Sequence, residues 1–384
     1  MSELYINLMH AIGICHQRIE MYTEAENIFR SLTLREPGFL QGHIARANCL
    51  MDYGGHNIKM NLNNARNLWA EALKEYEFAV TLDELSLEAS IGLSLCLQVL
   101  GRLNDALKQI THSLHTYYDH HQFSCNEWNN GKQSSSLKHC NTLLADAHDC
   151  RAIINLQLGR PQRAIDDLTV SIRLNRHSAK YLINRGVAYL RNHQPMPAII
   201  DFKNAIQLDP TNDLAQYHQA LIYLHHGQFE QAENAINTVL NTIQCIPSND
   251  YQLKPMNSDP SAWLLRSITR LIKHKPNDIH DKILQEALDD IYNAEQLILP
   301  KLTHDLTHWP HLHYTKGQVL YELKRYKQAE DEYTKALSLL PSNAFIYKAR
   351  CKCREKMYHA GLINSYENAL TDYRLSLLAS NVNT

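Results

Sequence analysis

The chain has 384 residues, a formal net charge of −2 from 38 Lys and Arg against 40 Asp and Glu, and only 13 Gly and 12 Pro. That balance excludes the electrostatic footprint of a dedicated nucleic-acid binder or of a protein held on an anionic membrane, and the scarcity of Gly and Pro excludes collagen, a loop-dense β-sandwich and a Gly-rich linker array. What remains leans helical. The start, Met1-Ser2-Glu3-Leu4, has no basic segment of the kind that opens a secretory signal, and no apolar run is long enough for a transmembrane helix. The nine cysteines are odd in number and fall mostly inside helical patterns, as buried reduced thiols do. A soluble, intracellular, cytoplasmic protein is the expectation.

In chain order, the first helical pattern carries Gly13 and is followed by a second with Tyr22, Ala25, Phe29 and Leu32, then Pro37. Between Ala179 and Asn212 the same order returns as Gly186 and Tyr189, then Ala198, Phe202 and Ala205, then Leu208-Asp209-Pro210. From Pro310 it returns again as Gly317 and Leu320, then Tyr326, Ala329, Tyr333 and Ala336, then Leu340-Pro341. Weaker copies fill the intervals, and the repeat period is 34 residues, as from Ala179 to Asp213 and from Pro310 to Ala344. Starts near 6, 40, 87, 145, 179, 213, 260, 310 and 344 give nine helix pairs over residues 1–384. An Arg followed by a small residue marks the weak copies: Arg46-Ala47, Arg151-Ala152, Arg185-Gly186, Arg266-Ser267 and Arg350-Cys351. Gly101, Gly159 and Gly227 stand where first helices should end, and Ser342 where a helix cap should sit. Three stretches, about 53–63, 118–140 and 244–259, read as polar insertions.

This spacing resembles the tetratricopeptide repeat, with a small residue at its eighth position, Ala at its twentieth, an aromatic residue at its twenty-fourth and Pro at its thirty-second. The resemblance implies an all-α fold, a right-handed α-solenoid or superhelix of stacked antiparallel helix pairs, in which no pair buries its apolar face alone. Close approach of the two helices assigns Gly186 to face Ala198, with Tyr189 and Phe202 filling the seam between neighbouring pairs.

The 22 histidines invite a metal reading, chiefly at His115, His120, His121, His139 and Cys140, and at His304, His308, His311 and His313. No H-E-x-x-H arrangement and no paired Cys-x-x-Cys spacing accompanies them, so solvated loop histidines are the expectation, with no metal and no cofactor. Nucleophile-elbow, phosphate-loop and dinucleotide signatures are missing, which predicts a protein that is not an enzyme. An enzyme with a His-rich metal site is the alternative of another class.

The resemblance places function in the concave groove lined by first helices, where proteins of this family bind peptides or partner helices. It implies a protein–protein interaction scaffold or adaptor, with no nucleic acid and no membrane partner, in a setting such as ciliary or cytoskeletal complex assembly. The expected partner-binding residues are Lys180, Asn184, Tyr217, His218 and Tyr314, with an acidic step at Asp146 and Asp149 and a basic end at Lys348 and Lys352. A co-chaperone that grips peptide tails is the alternative within binding proteins. The cations such a clamp needs are missing beside Asn184, where the neighbouring repeats offer Asp149, Ile153, Leu214 and His218.

Overall fold

The computed structural model describes residues 3–57, 61–121, 135–241, 260–274, 282–298 and 309–381. Among them are eighteen α-helices and no strand. Contacts divide the chain into two compact units, the first running to Asn212 and the second starting at Asp213.

In the first unit five antiparallel pairs follow one another: α1 (Glu3–Arg18) with α2 (Tyr22–Arg35), α3 (Leu40–Asn57) with α4 (Leu62–Leu82), α5 (Leu87–Val99) with α6 (Leu103–His121), α7 (Ser135–Gln157) with α8 (Pro161–Leu174), and α9 (Ala179–Arg191) with α10 (Pro195–Leu208). The second unit holds four: α11 (Asp213–His225) with α12 (Phe229–Asn241), α13 (Pro260–Lys273) with α14 (Lys282–Ile298), α15 (Pro310–Glu322) with α16 (Tyr326–Leu339), and α17 (Ala344–His359) with α18 (Glu367–Asn381). Within each unit a helix packs on its partner and on the next pair, so a core of Ala, Leu, Ile and aromatic side chains runs along the stack.

Local chemistry sets the boundaries. Pro161, Pro195 and Pro310 open their helices at the position where a missing N–H costs nothing. Gly159 closes α7 at φ +71°, which lets the Arg160 amide reach back 2.8 Å to the Asn155 carbonyl. The cap of α17 is Asn343, whose side chain accepts from the amides of Phe345 and Ile346; Ser342, expected in that role, is one residue too early to reach them. The stretch 53–63 is also more helical than its polarity suggests. α3 continues to Asn57, because Gly54 leaves room for the Trp69 indole of α4, which a β-carbon there would meet at 2.2 Å.

The small residue of each repeat faces a ring. A β-carbon on Gly186 would lie 2.6 Å from the Phe202 ring, and one on Gly317 would lie 2.6 Å from the Tyr333 ring. On α10 it is the Phe202 ring that lies nearest to Gly186. The ring fills the space inside its own pair and is completely buried, which contributes about 1.5–3 kcal/mol.

Beside this contact sits a charge pair that explains the recurring Arg. Arg185 of α9 grips Asp201 of α10 with Nε at 2.8 Å and Nη2 at 2.7 Å. Arg151 does the same to Asp167, Arg266 to Asp290 and Arg350 to Asp372, while Arg46 reaches Glu75. Acid and bulky residue are consecutive, as are Arg and small residue. The dyad Arg185-Gly186 thus meets Asp201-Phe202, Arg151-Ala152 meets Asp167-Leu168, and Lys316-Gly317 meets Glu332-Tyr333, each sixteen residues on. In three pairs a histidine one turn before the cation joins the same carboxylate: His43 at Glu75 (2.7 Å), His148 at Asp167 (3.2 Å) and His313 at Glu332 (2.7 Å).

Candidate functional site

In the second unit the first helices α13, α15 and α17 leave an open cavity of about 640 Å³ between them. Helical spacing decides what they offer to it. Tyr314, Gln318 and Tyr321 recur at one-turn intervals on one face of α15, as do Lys348 and Lys352 on α17, with Phe345 a turn earlier. Ile268, Leu271 and Ile272 of α13 form the apolar far wall, and the Tyr333 ring lies beneath. Gln318 Nε2 donates to the Tyr314 hydroxyl at 3.0 Å, and the Tyr314 ring leans on Tyr333 with centroids 6.1 Å apart, so α15 presents a fixed aromatic ledge. Burial raises the Tyr314 hydroxyl above the ordinary phenol range although Gln318 draws it back, and burial followed by the Glu322 charge does the same at Tyr321. The ledge therefore offers neutral hydroxyls. Phe345 is 76 % exposed and Ile272 50 %.

The profile of the tetratricopeptide repeat matches residues 310–343, which are α15, α16 and the turn after them, and a second tetratricopeptide-repeat profile matches residues 202–234. The chain contains tetratricopeptide repeats. It is 28% identical over 247 residues to tetratricopeptide repeat protein 6 of Homo sapiens, covering 64% of this chain and 40% of that one. With the mitochondrial import receptor subunit TOM70 of Homo sapiens it shares 24% identity over 212 residues, covering 53% and 31%. The chain thus spans less than half the length of either relative. Among solved structures, a tetratricopeptide repeat protein from Parabacteroides merdae ATCC 43184 is 14% identical, covers 85% of this chain and 97% of its own, and superposes with a TM-score of 0.45.

Of the residues expected to bind a partner, Tyr314 lines the groove of the second unit. Lys180 and Asn184 lie on α9 in the first unit and are engaged by the preceding first helix, α7. Lys180 Nζ stands 3.0 Å from Asp149 and 3.4 Å from Asp146, Asn184 donates to Asp149 at 2.7 Å, and the Tyr181 hydroxyl donates to Asp146 at 2.9 Å. The acidic step and its basic neighbours are thus two sides of one internal seam. Their separation of one repeat, 34 or 35 residues, is the signal that identifies them in sequence. Tyr217 and His218 lie on α11 in the second unit. Tyr217 packs against the cluster of Ala220, Ala235, Ile236 and Leu265, and burial pushes the His218 imidazole down to about 4, which keeps it uncharged near neutrality.

The histidine and cysteine clusters resolve differently. Among the described residues no group of three or more His, Cys, Asp and Glu is arranged to hold a metal ion. His304 and His308 lie outside the described residues, His313 is committed to Glu332, and exposed His115 pairs with Asp119 at 2.7 Å. Three thiols repeat a single role: Cys49, Cys96 and Cys353 each donate to a carbonyl of the preceding repeat's second helix, at Tyr22, Trp69 and Tyr326. Burial pushes these thiols, and that of Cys150, up to about 12, far from the thiolate a nucleophile needs. No helix among the described residues is long and apolar enough to cross a membrane.

Proposed function

We propose that this protein is a non-catalytic interaction scaffold that holds a peptide or a partner helix in the groove of α13, α15 and α17, with Tyr314 as an aromatic anchor. The observation that carries this proposal is the open cavity between three first helices, with a tyrosine ledge and two exposed apolar side chains at its rim. Large aromatic side chains held rigid before binding supply contact area at little ordering cost, as at binding hot spots. In the first unit, Lys180 and Asn184 would have to exchange Asp146 and Asp149 for a ligand before acting in the same way. Assembly of ciliary or cytoskeletal complexes and capture of chaperone tails are both settings for such a groove.

Affinity capture with quantitative mass spectrometry tests the proposal. Tyr314→Ala, checked for an intact thermal melt, should lose most of the specific partners of the wild type, a drop of about 1–3 kcal/mol in affinity for a hot-spot tyrosine. Undiminished recovery of every specific partner by both Tyr314→Ala and Phe345→Ala would rule the groove out.

A further inference from the structure

The groove is not electrically neutral, and α17 shows why. This helix carries five cations at alternate positions, Lys348, Arg350, Lys352, Arg354 and Lys356. At 100° per residue the two arginines point opposite to Lys348 and Lys352. Arg350 and Arg354 turn toward the helices behind, where Asp372 holds both, at 2.7 and 2.9 Å, and Glu330 holds Arg354 at 2.6 Å. Lys348 and Lys352 turn into the groove, are exposed, and have no carboxylate partner among the described residues. The acid that lines the same cavity, Glu322, stands at the C-terminal end of α15 and repels a second acid from that end. His274, just past α13, lines the far wall, and its buried Nδ1 has no hydrogen-bond partner among the described residues.

We propose that this groove selects an acidic peptide segment bearing a bulky apolar side chain, with Lys348 and Lys352 taking two of its carboxylates and the wall of Tyr314, Tyr321, Phe345 and Ile272 taking the apolar side chain. The proposal rests on the groove being the binding site and adds the chemistry of its occupant. Two lysines one turn apart match carboxylates on neighbouring residues of an extended or helical segment, and the apolar floor excludes a ligand that offers charge alone. The acids belong to the interior of the segment, since the lysines act as exposed point charges rather than as a closed pocket around a chain end.

The test is fluorescence anisotropy on the full chain with four labelled peptides blocked at both ends: Glu-Glu-Leu-Phe-Glu-Glu, the same with Gln for Glu, with Lys for Glu, and with Ala for Leu-Phe. The acidic peptide should bind about tenfold more tightly than its Gln counterpart, and the double substitution Lys348→Gln with Lys352→Gln should remove that advantage, the yield of two solvent-exposed ion pairs. Lys348→Glu with Lys352→Glu should transfer the preference to the Lys peptide, which a merely destabilised protein would not do. The Ala peptide should bind more weakly than its parent. If the acidic and Gln peptides bind alike and both are lost in Tyr314→Ala, the groove stands as a binding site and its acidic selectivity is overturned. If no peptide depends on Tyr314 or Phe345, both fall. A short single-stranded oligonucleotide that displaces the acidic peptide at equal concentration would assign the groove to nucleic acid and overturn the proposal.

Discussion

At the scale of single residues, the determinant of the repeat is the contact of a glycine with a ring. Gly186 and Gly317 lie so near Phe202 and Tyr333 that even one added methyl carbon would stand 2.6 Å from the ring, closer than real contacts permit. Both rings are enclosed and cannot swing away. Gly186→Ala, which gains helix propensity at an exposed site, should therefore destabilise here by about 1–3 kcal/mol, the cost of overpacking a filled core. Urea unfolding checks it, and a midpoint equal to or above that of the wild type would show that α9 and α10 separate freely. The sequence marks this position as small but cannot say what faces it. The residue opposite depends on how far the second helix slides along the first, which only packing fixes.

At the scale of the helix pair, the Arg–carboxylate bond sets that slide. Asp201 is 2 % exposed, so its charge is tolerable only because Arg185 meets it with two hydrogen bonds. Arg185→Ala or Asp201→Ala alone should cost about 3–5 kcal/mol, because each leaves a buried charge or an unmet guanidinium, whereas Arg185→Met with Asp201→Leu should recover most of the loss. A double-mutant cycle by thermal melts reads this directly, and additive losses would mean that the two side chains stabilise the pair independently. The first, third and sixth pairs lack this bond; in the sixth the equivalent residues are Gln219 and Ala235, and both polar atoms of the buried Gln219 amide have no hydrogen-bond partner among the described residues. Helix pairs were legible in the sequence because period, caps and Arg–small dyads all repeat. The groove was legible only in part. Tyr314 and the lysines of α17 follow from helical phase, while Lys180 and Asn184 look equally free until the contacts of α7 show them occupied.

At the scale of the whole molecule, the buried carboxylates recur along the chain and make its stability a function of pH. Burial pushes the Glu332 carboxyl up, but the hydrogen bonds of His313 and Lys335 and the charge of Lys316 overrule it and hold the group down to about 2. Asp167, between His148 and Arg151, and Glu75, between His43 and Arg46, are likewise held below the ordinary carboxylate range against the pull of burial. A carboxyl depressed by folding contributes stability above its unfolded value of about 4.3, and loses that contribution as pH falls through its folded value. For Glu332 the window therefore runs from about pH 5 down to about pH 2. Over the same descent the chain, with 22 histidines and 40 Asp and Glu, gains positive charge from its formal −2, and self-repulsion adds to the loss. The two effects separate in Glu332→Gln, which keeps the shape and removes one titrating group. Its stability deficit against the wild type should be about 1–2 kcal/mol near pH 7, after allowance for screening at a site next to solvent. It should shrink below about pH 5 and close near pH 2, whereas repulsion among histidines acts on both proteins alike. Urea unfolding of the pair across that range measures the difference at each pH. A deficit that stays constant to the acid end would mean that Glu332 stabilises through packing, and that the charge of its node contributes nothing to the fold.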